Sequence, residues 1–158
     1  MNINRGKQFE EVVKDCFLAV PGVSIDRLHD QMTGFKGSAN ICDFIVYKEP
    51  CEFYFECKAV HGNALPFSNI TKNQWEGMLE KSKIPGVFAG VICWWVDRDV
   101  TIFIPIQRLQ QYKELGFKSL RFDIFDNEGV YQVFGNKKRV FFDYDMQELL
   151  WRVSDGKC

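Results

Sequence analysis

Two short stretches, residues 41–47 and 53–58, constrain this chain more than any other feature. Side chains alternate between the two faces of an extended strand. One face of the first stretch therefore carries Cys42, Phe44 and Val46, and the other carries Asp43. One face of the second carries Phe53, Phe55 and Cys57, and the other carries Tyr54, Glu56 and Lys58. The apolar pattern sets a register, with Val46 against Phe53, Phe44 against Phe55 and Cys42 against Cys57. Residues 48–51 remain as a four-residue loop, which suits Pro50. The same register sets Asp43 directly opposite Glu56, with Lys58 about 7 Å further along the same face. A slip of one residue would send the two acids to opposite faces.

Two like charges side by side in an oily sheet are unfavourable unless a positive charge lies between them. Lys58 offsets part of that repulsion, and a divalent cation offsets more. Oxygen ligands in octahedral geometry suit Mg²⁺, or Mn²⁺, with water and substrate phosphate completing the shell. Such an ion polarises a phosphoryl oxygen and activates a water. A neighbouring lysine orients that water and stabilises the developing charge. Asp43, Glu56 and Lys58 thus form a pattern for phosphodiester hydrolysis. The plain alternative is a solvated strand face, because Glu-x-Lys triplets are common by chance. The apolar strands around the triplet, the register with Asp43 and a glutamate on the preceding helix favour the hydrolytic reading.

That helix is predicted over residues 5–20. Phe9, Val12, Val13, Cys16, Phe17 and Val20 form one apolar stripe at helical spacing, and Pro21-Gly22 ends it. Glu10 borders the stripe, whereas Glu11 lies on the wet face. A strand follows at 23–28, then a polar glycine-containing loop at 31–40. After residues 41–58 come a loop at 59–70 and a helix at 71–82. Thr71 is a candidate N-cap for that helix, with no acidic residue three positions on. Residues 87–96 and 100–106 read as a long hairpin around Asp97-Arg98-Asp99. A helix at 106–115 stops at Gly116. Short strands near 121–125, 130–134 and 139–144 precede a helix at 146–153. The order predicts one domain over residues 1–158, an α/β fold with a mixed central sheet flanked by helices on both faces.

Taken together, these residues resemble the PD-(D/E)XK nuclease superfamily, and within it the RecU-type Holliday-junction resolvases of Gram-positive bacteria and their phages. Asn4-Arg5-Gly6 followed by Phe9-Glu10 is similar to that family's N-terminal signature. Asp43 and Glu56-Cys57-Lys58 match its catalytic core. Residues 65–70 with Asn73-Gln74, residues 102–106 and residues 117–120 resemble its later segments. Cys42 stands where the superfamily name has proline. Only about residues 28–40 are available for the stalk that family members commonly carry between their first strands, which suits a phage-type member.

The resemblance implies a restriction-endonuclease-like fold and a Mg²⁺-dependent endonuclease that cleaves four-way DNA. It implies that Asp43, Glu56 and the backbone carbonyl of Cys57 hold the metal and that Lys58 positions the water. Glu10 would complete the metal shell and Gln74 would support the site. It further implies a homodimer, whose two-fold axis presents two sites to a near-symmetric junction, and a bacterial or phage-infected cytoplasm. A nuclease of the same superfamily with a restriction-like or flap substrate, and a DNA-binding module without catalysis, are the competing readings. Intact Asp43, Glu56 and Lys58 argue against the last.

Composition sets outer limits. Twenty Lys+Arg against 21 Asp+Glu give a formal charge of −1, so DNA contacts must come from local positive groups. The candidates are Arg5, Lys7, Lys36 and Lys72, with the run Lys137-Lys138-Arg139 and the glycine-bearing loop at 33–38 able to approach phosphates. Scattered surface lysines are the plain reading of each. No apolar run is long enough to span a membrane. The polar N-terminus shows no secretory signal. The six cysteines form no Cys-x-x-Cys pair, so they are expected as reduced thiols in a cytosol. Trp94 and Trp95 are expected to send one ring to each face of their strand, into core or a dimer contact.

Overall fold

A computed structural model describes residues 4–28, 40–122 and 129–158. Helix α1 (Arg5–Leu18) is capped by Asn4, whose side chain accepts the Lys7 N–H. Strands β1 (Ser24–Arg27), β2 (Phe44–Lys48) and β3 (Cys51–Val60) follow as an antiparallel meander. Next come a short strand β4 (Ala64–Pro66), a 3₁₀ turn and helix α2 (Lys72–Ser82). Strands β5 (Val87–Trp95) and β6 (Val100–Pro105) form the expected hairpin, and helix α3 (Ile106–Glu114) leads to β7 (Ser119–Arg121). The end comprises β8 (Tyr131–Gln132), β9 (Gly135–Lys137), β10 (Phe142–Tyr144) and helix α4 (Met146–Val153).

Six strands form the main sheet in the order β1-β2-β3-β5-β6-β8. Among the described strands only β3 and β5 run parallel, from Glu52↔Val87 to Val60↔Trp95, and α2 lies in the crossover between them. The sheet is mixed, with helices on both faces, as the order of elements predicts. On one face α1 and α4 bury Phe9, Val13, Leu149 and Leu150 against Phe44, Phe53, Phe55 and Trp94. On the other, α2 and α3 bury Trp75, Met78, Ile106 and Leu109 against Tyr54, Val91 and Trp95. Trp94 and Trp95 therefore do point to opposite faces, and both are core. Among the described residues, no helix is long and apolar enough to cross a membrane.

Several expectations need correction. Lys48 pairs with Cys51, so the loop is a two-residue turn, Glu49-Pro50, with a cis peptide bond. Residues 59–70 contain a strand: β4 pairs with β7 and buries Leu65 between the layers. Of the run Lys137-Lys138-Arg139, Lys137 ends β9, which pairs with β10, and Lys138 and Arg139 lie in the turn between the two strands. Residues 33–38, including Lys36, lie outside the described residues.

Candidate active site

The register of β2 on β3 is the expected one where both are strands: Phe44 faces Phe55 and Val46 faces Phe53. It does not extend to Asp43. The ladder ends at Phe44, and the Asp43 N–H donates to the Phe55 carbonyl at 3.0 Å, one residue out of step, in the manner of a β-bulge. Asp43 is thus not the ladder partner of Glu56, and Cys42 does not pair with Cys57. The slip turns Cys42 to the opposite face, into the layer of Tyr54 and Met78, while Cys57 stays with Phe53 and Phe55. In place of the next ladder bond, the Cys57 N–H donates to Asp43 Oδ2 at 2.8 Å. A backbone donor left by the end of the ladder needs an acceptor, and the aspartate supplies it. The two acids are still electrostatic neighbours, each acting on the other's proton affinity.

Glu56 is the buried member, with only 3% of its surface exposed. Its Oε1 lies 3.0 Å from the Lys58 ammonium and accepts a hydrogen bond of 3.0 Å from Gln74 Nε2. Its Oε2 is buried and meets no hydrogen-bond donor. Burial pushes the Glu56 carboxyl above its ordinary value, the Lys58 ammonium opposes this, and the charge of Glu10 adds to it. Asp43 is raised to about 7, first by burial and then by the neighbouring Glu56 charge, against the pull of the Cys57 N–H and Lys58. Like charges held this close in a low-dielectric setting favour one shared proton until a cation replaces it.

Gln74 is held from both ends. It is the third residue of α2, and its Oε1 accepts the Thr71 N–H at 3.0 Å while Thr71 Oγ1 accepts the Gln74 N–H at 3.2 Å. This is a capping box. The signal was in the sequence, since glutamine serves as well as an acid at that position. Gly77, one turn on, lets α2 settle on the strand entry: a Cβ there would stand 2.4 Å from Ile41 Cγ2. We expect Gln74→Ala to lower the melting temperature by a few degrees, about 1–2 kcal/mol, because it removes a donor from a buried carboxylate and half of the capping box. A thermal melt would check this.

Glu10 approaches from the other face on α1. Its Oε2 is 3.1 Å from Arg27, which also pairs with Glu11. Arg27 is the residue that sequence reasoning missed. It ends β1 opposite Phe44, and only the folded sheet brings it to Glu10. Arg5 and Lys7 lie in the first turn of α1, and Lys72 begins α2 on the far side of the sheet. The structure therefore does not gather these three cations into one patch. Arg5 lies over the Phe141 ring and Lys72 is 3.8 Å from Glu76.

Among the described residues, no group of three or more carboxylate, histidine or cysteine side chains is assembled as a ready metal cage. What is assembled is a pair of hard oxygen donors, one of them the unpartnered Oε2 of Glu56. That set fits Mg²⁺, which is usually bound through one or two carboxylates and keeps water and phosphate in the rest of its shell.

The sequence matches the family RecU, Recombination protein U, over residues 11–145. This chain belongs to the RecU family. The match takes in Asp43, Glu56, Lys58 and Gln74 and begins one residue after Glu10. Among solved structures, the RecU-family chain is similar to Archaeoglobus fulgidus Hjc, a Holliday junction resolvase from an archaeal hyperthermophile. The identity is 17% and the TM-score 0.45, covering 81% of this chain and 87% of that one. No curated protein matches it.

Proposed function

We propose that this chain is a Mg²⁺-dependent endonuclease that cleaves four-way DNA junctions by hydrolysis. The observation that carries the proposal is the meeting of Asp43, Glu56 and Lys58 at the end of the β2–β3 ladder, with one buried glutamate oxygen unpartnered. Membership of a recombination family supports DNA as the substrate, and a four-way junction is the branched form that recombination between two duplexes generates.

Asp43 and Glu56 would hold the ion, with the Cys57 carbonyl alongside. When bound, the metal supplies Lewis-acid polarisation of the scissile phosphate. The protein's own contribution is positioning. The Cys57 N–H fixes the Asp43 carboxylate. Gln74 fixes Glu56. The Lys58 ammonium, on the same face as Glu56, orients the attacking water and offsets charge developing on the phosphate. Arg27 holds Glu10 beside the site, where it can reach the metal through water. Two copies of the chain would give the paired cuts that a near-symmetric junction requires.

A cleavage assay on synthetic four-way junctions, flaps and plain duplex, in Mg²⁺ and in EDTA, tests the reading. Paired nicks in the junction strands in Mg²⁺ alone are expected. Equal cutting of plain duplex would make the chain a less selective nuclease, and junction binding without cutting in either Mg²⁺ or Mn²⁺ would refute hydrolysis.

A further inference from the structure

A cleft of about 780 Å³ opens on the α2–α3 face, lined in part by the start of α2. Its apolar walls include Phe67, Trp75 and Phe117, and Lys72, Lys113 and Lys118 line it with them. Phe117 is exposed and is braced edge-on by Tyr112 at 5.8 Å between ring centres. Trp75 is anchored through a 2.6 Å bond from its Nε1 to Gln110, and the Lys113 ammonium lies 4.7 Å over its ring. The one acid lining the cleft is Glu76, 3.8 Å from Lys72. Among the described residues, neither Lys113 nor Lys118 pairs with a carboxylate. Lys72 and Trp75 flank Gln74 in the first turns of α2, so the cleft and the bonded Glu56 carboxylate share one helix start.

A recess with an exposed aromatic face and three ammonium groups complements a planar base attached to a phosphate backbone. Paired duplex has no free base faces to offer it. We infer that this cleft receives an unpaired nucleotide of the DNA strand beside the branch point, with the base against Phe117 and phosphates on Lys113 and Lys118. The inference deepens the nuclease reading and rests on it for the identity of the ligand as DNA. It assigns to the chain a preference for branch points with unpaired bases.

The test uses full-length protein carrying Glu56→Gln, so that DNA is bound without being cut. Fluorescence anisotropy compares a fully paired four-way junction with the same junction carrying two unpaired thymidines at its centre. We expect the unpaired form to bind about tenfold more tightly, the scale of one base stacked on an aromatic ring. Phe117→Leu, which keeps apolar volume without an aromatic face, should abolish that preference and leave affinity for the paired junction within about twofold. Lys113→Ala with Lys118→Ala should lower the salt dependence of binding. An unchanged preference in Phe117→Leu, no preference in the parent protein, or a Phe117→Leu effect confined to oligomeric mass in light scattering would overturn the inference. Cleavage of the paired junction by protein with Glu56 intact is scored separately. Cutting without the preference removes the cleft alone, while the preference without cutting removes the nuclease reading alone.

Discussion

Lys58→Ala should lower junction cleavage by at least about 10²-fold, the scale of losing one preorganised group aimed at developing charge. Asp43→Asn should take it below detection. Binding of the junction in EDTA should survive both changes, because neither residue is needed to hold the phosphate backbone. The two defects have different origins. In Asp43→Asn the new amide oxygen would still accept the Cys57 N–H, so the loop end stays formed, but one anionic metal donor is lost. Lys58→Ala removes the ammonium 3.0 Å from Glu56 and leaves a buried carboxylate with only Gln74 as its donor. Added Mg²⁺ should therefore rescue Lys58→Ala partly at most and Asp43→Asn hardly at all. Single-turnover cutting over a Mg²⁺ series, with thermal melts to verify folding, would check this. Wild-type rates in either variant would sink the assignment.

Without metal, the protein should lose stability as pH rises from about 4 to about 7. The sign follows from the acids. Asp43 in the folded protein is raised to about 7 and Glu56 is raised as well, whereas unfolded carboxyls titrate near 4. Between those values the folded form binds more protons than the unfolded one, so stability falls with increasing pH. Above about 7 Asp43 is charged in the fold and its full cost is present. Glu56→Gln removes the repulsion and keeps an oxygen for Gln74 and Lys58. It should raise the melting temperature at pH 8 by several degrees, corresponding to about 1–2 kcal/mol. Added Mg²⁺ should likewise stabilise the wild type more at pH 8 than at pH 5, and stabilise Glu56→Gln little. Scanning calorimetry at the two pH values, with and without Mg²⁺, reads all of these. A wild type more stable at pH 8 than at pH 5 in EDTA would contradict the geometry.

Much of this was legible in the sequence, for identifiable reasons. Phe44, Val46, Phe53 and Phe55 form a strict period of two, and such a period excludes a one-residue slip, which would exchange the two faces. The same pattern cannot say where a ladder stops. Asp43 leaves it where its side chain takes the Cys57 N–H and its carbonyl takes the Leu28 N–H, bonds invisible to hydrophobic spacing. Glu10 was legible from its edge position on the α1 stripe, but Arg27 was not, since its contact spans two elements that only the folded sheet brings together. The Thr71–Gln74 box was written in the sequence and needed only the recognition that an amide can close it. Strand β4 escaped because three residues with a single buried side chain carry no periodicity, and β7, which pairs with it, is far along the chain.

The parallel neighbours β3 and β5 have a consequence for when the candidate site is complete. A tight turn brings Asp43 towards Glu56 early and locally, but Gln74 lies within the crossover, and parallel neighbours can be joined only by such a long excursion. Loop-closure entropy makes contacts of that kind late arrivals during folding. A nascent chain leaving the ribosome therefore carries its acids before Gln74 steadies them, and the proposed cleavage would reach its full rate only once the crossover has packed.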